Sequence, residues 1–317
     1  MLSGPNYITS INHGIKGIAG YYTDDDSWQH VIAAAEDGYV YEVHWDPNEL
    51  APGYQPSAEK LEGHFGDSPV VTIAGFFTPD DKYHHAVACT KDGKVHEIYY
   101  KLDELPHTNT TVLPYPPISS FDPSKGMASF YSPGDDLRHV VIVDGMGNPV
   151  DITWKGHHPT NGIGITIPPT DSQVASISGF LSNDANPNTR HIIVARNDTG
   201  QIYDIAYADE QHVPRDIRGQ DHVYVKTTFH EQVRNVTAFF SSDTNYRHIV
   251  VFTQANLLKD HAYDANGGNL RSTQLTSSAL ANVADITSFY NAHDQLRHVL
   301  YATYDGSLYE ITYTSQG

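Results

Sequence analysis

ADITSFYNAHDQLRHVLYATYDGSLYEITYT, residues 284–314, decides the fold. It reads as three short strands. Residues 286–290 are apolar and aromatic, 298–303 are β-branched and apolar, and 307–313 alternate beyond Asp305-Gly306, a strong short hairpin signal. The histidine of this stretch recurs at His30, His85, His139, His191, His248 and His298, at intervals of 55, 54, 52, 57 and 50 residues. A carboxylate follows 12 residues later at Glu42, Glu97, Asp151, Asp260 and Glu310; Asp204 follows at 13, read as one extra residue in the loop 197–200. Three residues beyond each carboxylate stands an aromatic: Trp45, Tyr100, Trp154, Tyr207, Tyr263 and Tyr313.

Upstream of each histidine lies a run of small residues ending in aromatics or leucine, such as Gly17-Ile18-Ala19-Gly20-Tyr21-Tyr22 and Asp285-Ile286-Thr287-Ser288-Phe289-Tyr290. Gly, Ala, Ser and Thr weaken a strand, so their recurrence implies that backbones approach closely there. Repeats of more than 40 residues built from four strands stack radially. The expected fold is therefore all-β: a six-bladed β-propeller of four-stranded antiparallel blades, in a single domain over 1–317. The blades fall near 17–66, 70–116, 126–170, 174–228, 233–280 and 284–317, with 5–12 added to the last. That last copy stops too soon for an outer strand, so the strand-like start of the chain is expected to close the ring.

Composition narrows the function. Set against 38 Asp+Glu, 19 Lys+Arg leave a net charge of −19, which repels a nucleic-acid backbone and an anionic membrane face alike. No apolar run approaches the ~18 residues of a membrane span. The start of the chain lacks the basic and apolar regions of a signal peptide, pointing to a cytoplasmic protein or one released without such a signal. The one cysteine, Cys89, sits in an apolar strand and reads as a buried small hydrophobe. No cofactor motif is present and no metal is expected. Six histidines set around a ring cannot converge on one ion with bonds of ~2.0–2.1 Å, and His84-His85 and His157-His158 stand as pairs without further ligands.

The repeated histidine has two readings: a structural role, holding the loop in which Asp26, Asp81, Asp135 and Asp294 lie four residues upstream, or a ligand contact. Turn length decides its company. A two-residue loop at Asp37-Gly38 pairs His30 with Trp45, whereas a three-residue loop ending in a left-handed Gly38 puts His30 and Glu42 on one face, making a polar cleft between blades. If all six histidines are buried and neutral, charging them below about pH 6.5 destabilises the ring. The residue before the histidine is Gln29, His84, Arg138, Arg190, Arg247 or Arg297. The four arginines read either as inter-blade salt bridges or as planar donors to vicinal sugar hydroxyls. In the latter case Glu42, Glu97, Asp151, Asp204 and Glu310 accept from the sugar, and Trp45, Trp154 and Tyr100 offer it a stacking face.

The hairpin from His30 to Asp46, and its copies His85 to Tyr100 and His298 to Tyr313, resemble the repeat of the fungal-type six-bladed fucose-binding lectins and their bacterial relatives. The resemblance implies inter-blade pockets lined by an arginine, a glutamate about 12 residues later and aromatics from the neighbouring blade. Glu42, Glu97 and Glu310 match the family's acid, while the arginines here fall one position early, where histidine holds the family's place. A multivalent sugar-binding lectin is the leading reading, taking glycans or glycoconjugates as partners and compatible with a homo-oligomer. The alternative is a non-catalytic scaffold for a protein partner. An enzyme working in a central funnel has the least support, because catalysis calls for one copy to depart from the repeat.

Overall fold

The protein, seen in a computed structural model, is described over residues 2–47, 56–61, 65, 68–105, 107–113, 122, 125–145, 147–156, 163–166, 174–182, 189–196, 200–207, 223–228, 232–264, 268 and 270–314, with 163–166, 207 and 223–228 as backbone alone. His157-His158 and residues 197–199 of the loop after β15 lie outside the described residues.

The first strand is β1 (Asn6–Ser10). Blade one follows as β2 (Ile15–Tyr22), β3 (Gln29–Ala35), β4 (Val40–Trp45) and β5 (Ala58–Leu61), and blade two as β6 (Val70–Thr78), β7 (Tyr83–Thr90), β8 (Val95–Tyr100) and β9 (Asn109–Val112). Blade three is β10 (Ala128–Ser132), β11 (Leu137–Val143), β12 (Pro149–Trp154) and β13 (Ile163–Thr166); blade four is β14 (Val174–Ser182), β15 (Thr189–Arg196), β16 (Gln201–Tyr207) and β17 (Val223–Thr228). Blade five is β18 (Val233–Ser241), β19 (Tyr246–Thr253), β20 (Leu258–Tyr263) and β21 (Arg271–Gln274); blade six is β22 (Val283–Asn291), β23 (Leu296–Thr303) and β24 (Ser307–Tyr313). Each of the first five blades is a sheet in sequence order, and the sixth is completed by β1 in the order β1-β24-β23-β22. The fold is thus all-β with six four-stranded antiparallel blades, and the chain's first strand supplies the last blade's outer edge, as the truncated sixth copy demanded.

The chain divides into two compact units, one of Met1–Val112 with Leu280–Gly317 and the other of Leu113–Ala279. The first holds blades six, one and two; the second holds blades three, four and five. In each unit the hydrophobic cores lie between blades. Ile8, Ile11, Ile18, Trp45, Phe289 and Leu300 fill the seam between blades six and one. Val233, Ile193, Ile249 and Tyr263 help fill that between four and five. Cys89 is fully buried in blade two, and burial pushes its thiol pKa up.

The hairpins between second and third strands of blades one, two, five and six share one construction. Gly38, Gly93 and Gly306 adopt positive φ at the ends of three-residue loops, and Asn256 does the same in blade five. The N–H of Gly306 donates to the Thr303 carbonyl at 2.9 Å to close the turn. Pairing therefore runs His30↔His44 and Ile32↔Glu42, the three-residue alternative, so His30 and Glu42 share a face. The preceding loops carry non-glycine residues at positive φ three positions before the histidine: Ser27, Lys82, Asp136, Asn245 and Gln295.

The small residues of the first strands do more than allow close approach. The Ile18 N–H donates to Asp285 Oδ2 at 2.8 Å and the Gly20 N–H to Thr287 Oγ1 at 2.7 Å. In the other unit the Ala238 N–H donates to Ser178 Oγ at 3.0 Å. Side chains on the first strand of one blade thus satisfy the free edge of the next blade's first strand, which otherwise presents unpaired N–H groups.

Candidate functional site

The shared face makes a buried polar pair in every blade. Nδ1 of the histidine lies 2.9 Å from the acid in His30–Glu42, His85–Glu97 and His139–Asp151. It lies 2.8 Å away in His191–Asp204, His248–Asp260 and His298–Glu310. Nε2 meets the end of the blade's first strand or the loop beyond it: Thr78 at 2.9 Å, Ser182 at 2.9 Å and Ser241 at 3.0 Å in blades two, four and five, and Asp294 at 3.1 Å in blade six. In blade one Nε2 lies 3.3 Å from Thr23 Oγ1 and 3.5 Å from Asp26 Oδ2. The hydroxyl–imidazole–carboxylate order matches a nucleophilic triad, but Ser182, His191 and Asp204 are all buried, so it serves here as internal bracing between the blade's strands.

One signal escaped the sequence reading. The first aromatic of each upstream run stacks flat on its own blade's histidine: Tyr21–His30, Phe76–His85, Phe130–His139, Phe180–His191, Phe239–His248 and Phe289–His298, with ring centroids 4.6–5.1 Å apart. It was detectable as a constant aromatic in the upstream run, but tying it to the histidine needs the register of the first hairpin.

The opposite face of each blade carries the residue before the histidine. It lies cross-strand between the second large residue of the upstream run, Leu181 in blade four and an aromatic in the others, and the aromatic of the third strand, as in Phe240–Arg247–Tyr263 and Tyr290–Arg297–Tyr313. Two blades meet with the histidine–acid face of one against this face of the next. Between blades four and five, Asp204 Oδ2 accepts from the Tyr263 hydroxyl at 2.9 Å and lies 3.5 Å from Arg247. Between three and four, Arg190 bonds Asp135. Between six and one, Gln29 Nε2 lies 3.2 Å from His298 Nδ1. Between one and two, the ring of His84 packs 4.6 Å from that of His30, and its Nδ1 lies 3.2 Å from the Tyr21 hydroxyl.

Arg138, Arg190, Arg247, Arg297, Glu42, Glu97, Asp151, Asp204, Glu310, Trp45, Trp154 and Tyr100 are all buried, none more than 6% exposed. Within each unit the polar faces between blades meet as buried seams. The second aromatics of the upstream runs, Tyr22, Phe77, Tyr131, Phe240 and Tyr290, are half-buried. Arg297 lies 5.2 Å from the centre of the Tyr290 ring.

Two expectations are corrected. His84-His85 does not stand alone, because Asp26 and His30 of blade one join His84 in a cluster whose candidate ligand atoms lie within 4.8 Å of one another. Nor are all six histidines poised to be neutral. Burial pushes His298 down, but its hydrogen bonds to Asp294 and Glu310 and their charges outweigh that and raise its pKa to about 9. The His30 pKa is likewise raised, burial being outweighed by bonds to Asp26 and Glu42. His84 goes the other way, lowered to about 3 by burial and by the charge of His30.

Among the described residues no helix is long and apolar enough to cross a membrane. No family model matches the sequence, and no curated protein matches it. Solved structures do. AofleA from Arthrobotrys oligospora is 12% identical with a TM-score of 0.65, the match covering 98% of this chain and 86% of that one. The SapL1 lectin, solved in complex with α-methyl fucoside, is 14% identical with a TM-score of 0.63 over 93% of this chain and 90% of that one. The fungal lectin of Aleuria aurantia, described as a six-bladed β-propeller with a novel fucose recognition mode, is 12% identical with a TM-score of 0.61 over 97% and 94%. The likeness that the hairpins suggested therefore extends along nearly the whole chain, which has the six-bladed β-propeller fold of these distant lectins.

Proposed function

We propose that this protein is a carbohydrate-binding lectin with repeated sites at the blade seams, taking fucose or a related monosaccharide. The observation that carries the reading is the meeting at a seam of guanidinium, carboxylate and aromatic groups from two blades, as in Arg247, Asp204 and Tyr263. A pyranose presents vicinal hydroxyls to a planar donor and an acid, and a C–H patch to a ring. Lectins of the same fold that bind fucosides add support. In this reading Arg138, Arg190, Arg247 and Arg297 are the donors, Glu42, Glu97, Asp151, Asp204 and Glu310 the acids, and Trp45, Trp154 and Tyr100 the deep aromatic walls. Because these side chains are buried, the sugar enters at the mouth of the seam, on the half-buried rings of Tyr131, Phe240 and Tyr290 beside Arg138, Arg247 and Arg297. Several weak equivalent sites gain avidity on a multivalent surface without any new contact.

A glycan array and haemagglutination test the reading. The expected result is binding to fucosylated glycans with competition by free fucose, and a loss of signal in Tyr290→Ala and Phe240→Ala together. Silence in both assays overturns it.

A further inference from the structure

We propose that the seam between blades one and two binds a divalent first-row transition ion through Asp26, His30 and His84. Two imidazoles and one carboxylate from two blades are the donor set of an open metal site, with three protein ligands and room for water. The three candidate ligand atoms already lie within 4.8 Å of one another.

Each ligand is held by a second partner. His30 Nδ1 is engaged by Glu42 at 2.9 Å, which leaves Nε2, 3.5 Å from Asp26 Oδ2, as its ligating atom. A carboxylate behind a histidine is the arrangement that fixes a ligand's tautomer and raises its basicity. Asp26 Oδ1 accepts from the Trp28 N–H at 2.9 Å and from the Thr23 hydroxyl, which orients Oδ2 toward His30 Nε2 and the proposed ion. His84 Nδ1 lies 3.2 Å from the Tyr21 hydroxyl, leaving Nε2 to coordinate. The imidazoles are buried, while the Asp26 side chain is 27% exposed and gives the ion a way in.

Charge separates this seam from the others. In blades three to six the position of His84 is filled by Arg138, Arg190, Arg247 and Arg297. At the seam of blades three and four that arginine, Arg190, neutralises Asp135, the counterpart of Asp26. Between one and two the arginine is replaced by the imidazole of His84, whose ring packs 4.6 Å from that of His30. Asp26 and Glu42, two carboxylates, flank the His30 imidazole there without the guanidinium that stands at that position in blades three to six. A divalent cation supplies the charge that the arginine brings elsewhere, and it does so at the one seam where the repeat has exchanged a fixed cation for a metal ligand.

The test uses chelator-stripped full-length protein, titrated calorimetrically with zinc and followed by the visible absorption of added cobalt(II). Wild type is expected to take up one tightly bound equivalent and to show the intense bands of a low-symmetry cobalt site. His84→Arg, which restores the residue of the other blades, and Asp26→Asn, at a partly exposed position, are each expected to lose that equivalent or weaken it at least tenfold. Thermal melts confirm that the variants are folded. No stoichiometric uptake by wild type, or uptake unchanged in both folded variants, overturns the proposal. Neither readout involves sugar, so the lectin reading stands or falls separately.

Discussion

His298 Nδ1 lies 2.8 Å from Glu310 Oε1, a contact between residues twelve apart that the three-residue turn ending at Gly306 places diagonally across one hairpin. With Asp294 on its other nitrogen at 3.1 Å, this imidazole is clamped between two acids, and its pKa is raised to about 9.

The sign of its pH dependence follows. A histidine whose folded pKa lies above the unfolded value of ~6.5 stabilises the protein fully below that pH and loses the contribution as pH rises through the folded value. The fall is therefore expected between about pH 6.5 and 9, the reverse of what neutral buried histidines would give. Its size is on the order of 3 kcal/mol. Urea titrations of wild type and His298→Gln at half-unit steps from pH 6 to 9.5 check it: the wild-type advantage should shrink steadily toward pH 9. An advantage that grows with pH overturns the assignment.

Asp204 gathers three partners from two blades: His191, Tyr263 and Arg247. Removing the Tyr263 hydroxyl leaves one acceptor site of a buried acid unfilled, so Tyr263→Phe should cost about 1–2 kcal/mol. Arg247→Leu removes the cation while the acid stays buried, and the cost rises to about 3–5 kcal/mol. Equilibrium denaturation measures both, and a smaller loss in Arg247→Leu than in Tyr263→Phe would show that the guanidinium does not neutralise Asp204.

The architecture was legible because it is written six times. An irregular turn in one copy, such as Ala255-Asn256, is outvoted by Asp305-Gly306 and Asp37-Gly38, and Asn256 in fact takes the same left-handed geometry. The histidine–acid pair was legible as a spacing, but its geometry was not, since one residue more or less in the turn sends Glu42 to the other face. The stacking of Phe289 on His298 was hidden behind a first hairpin whose left-handed residue is Gln295, which carries no turn signature. The place of Arg247 beside Asp204 and the company of His84 depend on the neighbouring blade, and nothing within one repeat encodes which face of the next blade it will meet.

Gly20 tests how tightly first strands meet. Its counterparts in the other blades are Gly75, Ser129, Gly179, Ala238 and Ser288, so position alone predicts that alanine is harmless. Geometry predicts otherwise: a Cβ at Gly20 would lie 2.9 Å from Thr287 Cγ2 and 3.2 Å from the Phe289 ring. Thr287 cannot simply retreat, because its hydroxyl accepts from the Gly20 N–H at 2.7 Å. Gly20→Ala should therefore cost about 1–3 kcal/mol. Pairing it with Thr287→Ser, which removes the offending methyl and keeps the hydroxyl, should recover part of the loss in a thermal melt.

The closing strand is the last point at which the architecture can be broken deliberately. β1 pairs with β24 through Asn6↔Glu310, Tyr7↔Tyr309, Thr9↔Leu308 and Ser10↔Ser307, with a bulge at Ile8. Ile8 and Ile11 are buried in the core between blades six and one, and the Thr9 hydroxyl donates to the Pro56 carbonyl at 2.8 Å. Ile8→Ala alone should cost about 2–5 kcal/mol. Deleting residues 1–12 removes both isoleucines and also exposes the long edge of β24, so the truncated chain should melt far lower and associate through that edge. A synthetic peptide of residues 1–12 added in trans should restore the melting temperature, since main-chain pairing supplies its affinity and the side-chain pockets its register. Unchanged melting on truncation would mean that β24 does not need β1, and the closure of the sixth blade would have to be sought elsewhere.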